Sequence, residues 1–351
     1  MSASATLVPY QPGVRLELEV LQNDPSLPLL PSVCATVTQM CSVTMSAVMK
    51  VQVVTPSGAA AGVVLKLYDR RFGTSMRKIA GKHVPHTAAD EEQFCSFVRQ
   101  GQMKPFLREF EEERTSNILG IGPEDMLDGR PDGRAKLEAV LWQECTEYFD
   151  NETEAYARLH DVQGRYVPRL YAHVRLVRRP GEAVPEDLLR QPDTAEYFDI
   201  KGVLLEPITG YELIDVATAP AAPADPDRVR ALVQTAMERV HFINERGLLL
   251  YDCSPFNAIV EAATQQPFIV DFAQCGFKDK MIDQWENVCH MDEEEEVWDA
   301  EAQFREFVQQ LDNVGAIGVV AANRYWREKG IRLQLYWPGS GELVQWSSRR
   351  D

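Results

Sequence analysis

Residues 247–277 constrain this 351-residue chain more than any other segment. Within them a short apolar run ends at Asp252, a turn leads to Asn257, and a further turn and apolar run precede Asp271. Short apolar runs bounded by turn residues are typical of β-strands. Side chains that follow strands can be aimed into a cleft by a rigid scaffold. The segment therefore predicts a site that combines two carboxylates with one side-chain amide.

The spacing of these residues resembles the catalytic core of the protein-kinase-like superfamily. In that superfamily, an Asp and an Asn five positions apart are followed by a strand hairpin and an Asp-Phe-Gly motif. Here Asp252 and Asn257 are five positions apart, and Asp271 with Phe272 begins fourteen positions later. The resemblance covers roughly residues 33–310. It implies an α+β, two-lobed protein-kinase-like fold, with a small antiparallel-sheet N-lobe and a mainly helical C-lobe.

The resemblance also implies transfer of the terminal phosphate of ATP to a hydroxyl group. In this interpretation Asp252 is catalytic and accepts or orients the proton of that hydroxyl, while Asn257 and Asp271 bind Mg²⁺. Carboxylate and amide oxygens suit this hard cation. The alternative interpretation is a capped turn, because Asp and Asn both favour turns.

Lys66 lies inside an apolar segment that predicts a strand. Alone, a Lys in such a segment is typical of an edge strand protected against aggregation. The resemblance implies instead the strand Lys that binds nucleotide phosphates, oriented by a Glu on the following helix. Apolar spacing predicts that helix over about 135–160, and Glu154 is the chosen partner. Glu152 and Glu147 are alternatives, and an ordinary exposed helix Glu is the simplest interpretation of any one of them.

Two further segments are predicted to contact the nucleotide. Residues 40–53 occupy the place of a Gly-rich phosphate loop but contain no Gly. Backbone amides can still bind phosphate there, and three side-chain hydroxyls could donate as well: Ser42, Thr44 and Ser46. The strand predicted over about 200–206 would end at the hinge between lobes, where the resemblance implies adenine binding by Leu205, Glu206 and Ile208.

Residues that flank the three polar groups depart from the protein-kinase pattern. Leu250 and Tyr251 stand where His and Arg are usual, and Ala273 replaces the Gly of Asp-Phe-Gly. Ser254-Pro255 is closer to aminoglycoside- and choline-kinase-like enzymes, and no Ala-Pro-Glu motif follows. The whole resembles the divergent protein-kinase-like proteins common in fungi. The acceptor is therefore expected to be a small molecule or a protein Ser/Thr.

Composition and the positions of turn-forming residues predict four parts along the chain. They are an N-terminal arm (1–30), an N-lobe (31–206) with a helical insertion at about 70–135, a C-lobe (207–330) and a C-terminal tail (331–351). The clearest helix has apolar residues at helical spacing from Val229 to Ile243, and Gly247 follows it. Charged runs in the insertion are expected to form solvated faces.

The net charge of −17 argues against nucleic acid or an anionic membrane as a partner. The seven Cys include no CxxC pair, so reduced thiols are expected, and no HExxH motif indicates zinc. The sequence lacks a basic, apolar leader and any apolar run of eighteen residues, which favours a soluble, cytoplasmic protein and is compatible with a nuclear pool. The acidic segment 292–299 is a candidate surface for a protein partner.

Two hypotheses follow. The first is a kinase that uses ATP and Mg²⁺ to phosphorylate an alcohol group. The second is a catalytically weak pseudokinase that serves as a nucleotide-binding or protein-interaction scaffold, which the missing Gly-rich loop favours. The first is preferred, because a drifting pseudokinase has no reason to keep Asp252, Asn257 and Asp271 together.

Overall fold

A computed structural model describes residues 9–79, 81–116, 122–127, 132–177, 184–289 and 299–344. The chain mixes antiparallel strands with helices, as the sequence predicts. It divides into two compact units: unit 1 comprises residues 1–150 and 170–207, and unit 2 comprises residues 151–169 and 208–351. Within the described residues, no helix combines the length and the apolar character needed to cross a membrane.

An antiparallel barrel forms the centre of unit 1. The strands of unit 1 are β1 (Arg15–Asn23), β2 (Ser32–Val43), β3 (Ala47–Val54), β4 (Ala60–Leu67), β5 (Lys78–Ile79), β6 (Lys82–His83), β7 (Leu170–Leu176) and β8 (Lys201–Leu205). Six of them close the barrel in the order β1-β2-β3-β4-β8-β7, while β5 and β6 pair separately. Alternate side chains of β3, such as Met49 and Val51, are buried because successive residues of a strand face opposite sides.

The first strand corrects the prediction of an N-terminal arm over residues 1–30. β1 pairs with β2 on one side and β7 on the other, and it thereby closes the barrel. Leu16 and Leu18 are buried in the core, while Glu17 between them is exposed. This two-residue alternation is the sequence signal of a half-buried strand.

Five helices of the described chain begin before residue 207. They are α1 (Ala88–Arg99), α2 (Met103–Ser116), α3 (Gly133–Arg158), α4 (Glu186–Leu189) and α5 (Pro192–Ala195). α1 and α2 belong to the predicted insertion at about 70–135. The unit boundary crosses α3, because residues from Asn151 onward belong to unit 2. The predicted N-lobe over 31–206 therefore differs from unit 1 over residues 151–169, whereas the boundary after Pro207 lies one residue from the predicted one.

Part of the charge in the insertion is buried, contrary to the predicted solvated faces. Arg77 is fully buried, and its Nη2 lies 2.7 Å from Oε1 of Glu138 on α3. Arg70 pairs with the same Glu138 and, at 2.6 Å, with Glu91 of α1, which also contacts His86 at 3.0 Å. Buried ions are tolerated when they are paired in this way. The network thus joins the start of the insertion to α1 and α3 within unit 1.

Unit 2 contains short antiparallel strands and longer helices. They are β9 (Gly210–Glu212), α6 (Pro226–Glu245), β10 (Leu248–Leu250), β11 (Ala258–Glu261), β12 (Pro267–Ile269), β13 (Cys275–Phe277), α7 (Lys278–Cys289), α8 (Ala300–Leu311) and α9 (Asn313–Lys329). α6 and α9 pack so closely that a Cβ added at Gly318 of α9 would lie 2.3 Å from Sδ of Met237 on α6. The predicted tail also contributes to this unit: Leu333 and Leu335 are buried, and the backbone of Tyr336 bonds the side chain of Gln234 on α6.

Candidate functional site

The loop that carries Asp252 and Asn257, residues 251–257, is called the Asp–Asn loop. It begins where β10 ends, and β10 pairs with β13 with Leu250 opposite Cys275. The pairing of these two strands extends one residue beyond β10, because the N–H of Tyr251 donates to the carbonyl of Gln274 at 3.0 Å. The loop ends in a single turn of 3₁₀-helix over Pro255–Asn257, which leads directly into β11. Strands therefore fix both ends of the loop.

Asn257 closes the Asp–Asn loop upon Asp252. Its Nδ2 donates to the backbone carbonyl of Asp252 at 2.8 Å and to the Oδ2 carboxylate oxygen at 3.2 Å. These bonds occupy the nitrogen of the amide and orient it, while the amide oxygen takes no part in them. An amide oxygen is the atom that a hard cation such as Mg²⁺ would bind. Asp252 itself is exposed, so its carboxylate is accessible to solvent.

Asp271 lies in the connection between β12 and β13. The N–H of Val270, the residue before it, donates to the carbonyl of Asn257 at 3.0 Å, and Ile269 pairs with Ala258. The strand pairing therefore brings Asp271 beside Asn257 within unit 2. The backbone of Asp271 has φ of 66°, a left-handed conformation that residues other than Gly seldom adopt. Such conformations concentrate at functional sites.

The second half of α3 packs on the residues that follow Asp271. Phe272 is fully buried, and its ring meets that of Tyr156 edge-on with centroids 5.4 Å apart. The side-chain amide of Asn151 donates to the carbonyl of Ala273 at 3.3 Å. These contacts fix the backbone on which the Asp271 carboxylate is mounted.

A buried amide pair, which the sequence pattern did not reveal, fixes the other side of the loop. Asn313, the first residue of α9, accepts from the N–H of Leu250 at 3.0 Å and donates to its carbonyl at 2.7 Å. Asn244 of α6 donates to the same Asn313 oxygen at 3.0 Å. The backbone carbonyl of Asn313 also accepts from Sγ of Cys253 at 3.2 Å, and burial raises the pKa of that thiol to about 12. Nothing local marks Asn313, since its partner lies 63 residues earlier in the chain.

Asp271 and Asn257 supply one carboxylate group and one amide oxygen. Among the described residues, no group of three Asp, Glu, His or Cys side chains is placed to hold a metal ion. This donor set fits Mg²⁺, because that ion is usually bound by one or two carboxylates together with water and substrate phosphates.

Lys66 lies on β4, which pairs with β3 on one side and β8 on the other. The edge-strand interpretation of this residue is therefore wrong. The residue is 3% exposed, and its Nζ lies 5.4 Å from the centre of the Tyr68 ring. A Cβ at Gly202 would lie 2.5 Å from the carbonyl oxygen of Lys66, so Gly lets β8 approach β4 at this position. A buried cation is costly unless it is paired or hydrogen-bonded.

Glu154 has partners other than the predicted one within unit 2. Its Oε1 accepts from Nε of Arg158 at 3.1 Å, and its Oε2 pairs with Lys280. Burial opposes ionisation of this carboxyl, but the bonds from Lys280 and Arg158 outweigh burial and lower its pKa. Glu147, one alternative, lies 3.3 Å from Arg114. Glu152, the other alternative, is completely buried on the same helix.

The turn between β2 and β3, residues 44–46, is covered by the residues that follow β4. The N–H groups of Thr74 and Ser75 donate to the carbonyls of Val43 at 3.2 Å and Thr44 at 3.0 Å. A Cβ at Gly73 would lie 3.1 Å from the Thr44 carbonyl oxygen, so the two segments are in close contact. Of the three predicted hydroxyls, those of Ser42 and Thr44 belong to half-buried and exposed residues, whereas Ser46 is buried.

Along the chain, the three predicted hinge residues, Leu205, Glu206 and Ile208, lie on both sides of the unit boundary. Leu205 ends β8 and is buried, with Val64 and Leu170 opposite it in the barrel. Glu206 and Ile208 are half-buried, and the boundary lies after Pro207 between them. Their contact with adenine stays a prediction.

The chain matches no protein-family model and no curated protein. Among solved structures it is similar to the PknI kinase domain of Mycobacterium tuberculosis, with 17% sequence identity and a TM-score of 0.31 over 69% of this chain and 60% of that one. A second structure of the same domain gives 16% identity and a TM-score of 0.31, over 68% and 58% of the two chains. The chain thus spans about 60% of the length of these domains. A likeness of this size does not assign the chain to a family.

Proposed function

We propose that this protein is an ATP- and Mg²⁺-dependent phosphotransferase that moves the terminal phosphate of ATP to a hydroxyl of a small molecule or of a protein Ser/Thr. The observation that carries the proposal is the bonding of Asn257 Nδ2 to both the carbonyl and the carboxylate of Asp252. The backbone bond from Val270 to Asn257 adds the Asp271 carboxylate to the same part of unit 2. Phosphoryl transfer needs such positioned charge more than covalent chemistry.

Each polar group has a separate role in this proposal. The exposed Asp252 accepts or orients the proton of the attacking hydroxyl. Asn257 and Asp271 hold Mg²⁺, which when bound neutralises charge on the phosphates. Lys66 supplies the cation for the phosphates. Glu154, the predicted partner of Lys66, is bound by Arg158 and Lys280 within unit 2, and its role toward Lys66 stays a prediction.

The residues beside Asp252 and Asn257 favour an acceptor with an apolar body. Tyr251 is 48% exposed and Phe256 is 58% exposed, although both are large aromatic side chains. The Tyr251 ring lies 6.5 Å from that of Phe307 of α8, whose ring lies 6.3 Å from that of Trp285 of α7. Exposed aromatic groups next to a reactive carboxylate are suited to bind a substrate.

The second candidate function, a pseudokinase scaffold, is favoured by the covered turn between β2 and β3. In kinases a Gly-rich loop covers the phosphates. Here Thr74 and Ser75 bond the turn to the segment after β4, and the buried Ser46 faces away from solvent. A turn held in this way is less able to close over ATP.

Measurement of Mg²⁺-dependent ATP binding and hydrolysis separates the two functions. The set consists of the wild type, Asp271→Ala, Asp252→Ala and, as a matched control, Asp283→Ala at an exposed position of α7. A phosphotransferase should lose Mg²⁺-dependent ATP binding in Asp271→Ala and keep binding but lose turnover in Asp252→Ala. Failure of the wild type to bind ATP would exclude both nucleotide-based functions. Binding without turnover, unchanged in Asp252→Ala, would support the scaffold.

A further inference from the structure

Arg239 of α6 is a buried cation whose hydrogen-bond acceptors, among the described residues, are neutral groups. The residue is 6% exposed, and its guanidinium carbon lies 4.9 Å from the ring centre of Tyr166 and 5.8 Å from that of Phe268. Its Nη1 donates to the carbonyl of Pro267, and its Nη2 donates to Oε1 of Gln266 at 2.5 Å. Within the part of the chain that the structure describes, the third guanidinium nitrogen, Nε, has no hydrogen-bond partner for its N–H.

The electrostatic surroundings of this guanidinium are unfavourable. Burial above all, with a smaller effect of the nearby Arg165, lowers the pKa of Arg239 to about 10, while Tyr166 acts in the opposite direction. Buried charges in proteins are usually paired or bound to an ion, since desolvation makes an isolated buried charge unfavourable. A buried donor without a partner in the chain is therefore available to an acceptor that binds from solution.

Arg239 lies in the wall of a cleft in unit 2, which is called the Arg239 cleft. Its volume is about 690 Å³, within the range of small-molecule sites. Aromatic rings of Tyr166, Phe242 and Phe268 line it, together with Arg239 and Gln266. Carboxylates are present too, and the acidic lining residues are Glu238, Glu245 and Glu261. Glu245 pairs with His241 at 3.3 Å, and Glu261 accepts from the Thr264 hydroxyl at 2.6 Å.

The geometry of the guanidinium indicates which chemical group its donors fit. Nε and Nη2 lie on one edge of the planar group, and this edge binds a carboxylate through two parallel hydrogen bonds. In Arg239 one donor of that edge has no partner and the other is held by Gln266, an exposed and neutral side chain. A charged acceptor binds about twice as strongly as a neutral one. A carboxylate that enters the cleft can therefore displace the Gln266 amide and use both donors.

We propose that the Arg239 cleft binds a small ligand through its carboxylate, which takes the Nε–Nη2 edge of Arg239 in place of Gln266. Three glutamates line the cleft against two arginines, Arg239 and Arg165, so a ligand that carries an ammonium group beside its carboxylate, as an α-amino acid does, matches the charges of the lining. The aromatic rings that line the cleft can pack against an apolar side chain of that ligand. This site is independent of the phosphotransfer chemistry at Asp252.

Calorimetric titration of the full chain tests the proposal with three probes that differ in charge: L-phenylalanine, 3-phenylpropionate and phenethylamine. L-Phenylalanine is expected to bind the wild type. Arg239→Lys removes the two-donor edge and should weaken that binding about tenfold. Gln266→Ala removes the competing acceptor and should strengthen it. Arg230→Lys, on the same helix but outside the cleft lining, is the matched control and should bind as the wild type does.

The outcomes distinguish the parts of the proposal. Binding of L-phenylalanine without 3-phenylpropionate supports the role of the glutamates, whereas equal binding of both supports the carboxylate site and overturns the ammonium requirement. Binding of phenethylamine should not respond to Arg239→Lys. The site is refuted if neither carboxylate compound binds the wild type. It is also refuted if the affinity for L-phenylalanine is the same in the wild type, Arg239→Lys and Gln266→Ala. Gln266→Ala keeps the test decisive if Arg239→Lys does not fold, because an exposed Gln is not needed for the core.

Discussion

The side chain of Asn313 binds both backbone groups of Leu250, donating to its carbonyl at 2.7 Å and accepting from its N–H at 3.0 Å. Leu250 is two residues before Asp252, and Asn313 is buried. The amide therefore holds the start of the Asp–Asn loop in the way that a neighbouring strand would. Its effect on any chemistry at Asp252 must pass through the backbone, which makes Asn313 a positioning residue.

Asn313→Ala should destabilise the fold by about 2 kcal/mol, because it leaves two buried backbone groups of Leu250 without partners. Urea unfolding measures this change. If the protein hydrolyses ATP, kcat should fall while the KM for ATP stays nearly constant, since Asn313 is not assigned to the nucleotide. Asn323→Ala, at a half-buried position of the same helix, is the control. An equal loss of stability in both variants would show that the hydrogen bonds to Leu250 do not account for the effect of Asn313→Ala.

The left-handed backbone of Asp271 gives a second prediction. At φ of 66° a Gly is free of strain, whereas an Ala is not. Asp271→Gly should therefore be about 1 kcal/mol more stable than Asp271→Ala in urea unfolding. The matched pair at Asp283, inside helix α7, should reverse this order, because Gly is about 1 kcal/mol worse than Ala in a helix. Both Asp271 variants should lose Mg²⁺-dependent ATP binding, which separates the backbone effect from the carboxylate effect.

The position of Asp252, Asn257 and Asp271 in one part of unit 2 could be predicted because the three residues belong to one local stretch of strands and turns. Spacing within such a stretch is set by backbone geometry, and no distant contact is required. The roles given to these residues stay predictions. By contrast, Asn313 binds Leu250, which is 63 residues away in the chain, and Arg77 binds Glu138 of α3, which is 61 residues away. No local pattern encodes pairings of this kind.

Burial of polar groups was the other part that the sequence did not disclose. Arg77 and Glu138 occur in charged stretches that usually face solvent, yet both are fully buried since each neutralises the other. Arg239 occupies a position on α6 among buried apolar residues, and only the structure reveals its neutral partners. Glu154 and Glu152 are two positions apart on one helix, so spacing alone could not decide which of them is buried.

The pH dependence of stability gives a third prediction, at Asp69. Burial would raise the pKa of this carboxyl, but the charge and hydrogen bonds of Arg71, with a bond from Tyr10, outweigh burial and lower the pKa to about 2. The pKa is thus lower in the folded state than in the unfolded chain, so the unfolded state binds the proton more readily. The stabilisation is complete above about pH 4 and is lost as the pH falls towards 2.

Asp69→Asn should therefore flatten the acid limb of the stability curve. Between pH 6 and pH 2 the difference in unfolding free energy between wild type and variant should shrink by roughly 2 kcal/mol, from the linkage of a shift of this size. Urea unfolding at each pH provides the measurement. Asp283→Asn, an exposed carboxyl, should show no such change relative to the wild type. A constant offset between wild type and Asp69→Asn at all pH values would contradict the low pKa of Asp69.

The two neighbouring glutamates of α3 provide the last prediction. Glu154 is bound by Arg158 and Lys280 near the surface of unit 2, and exposed ion pairs contribute only a few tenths of a kcal/mol. Glu154→Gln should thus change stability and ATP turnover little. Glu152 is fully buried, so Glu152→Gln, which exchanges a buried carboxylate for an amide, should lower the free energy of unfolding by about 1–3 kcal/mol. Urea unfolding of both variants measures this difference, and steady-state ATP hydrolysis by Glu154→Gln measures its kcat. A loss of stability in Glu154→Gln as large as that in Glu152→Gln would contradict the surface role of Glu154, and a large fall of its kcat would support the predicted role of Glu154 in catalysis.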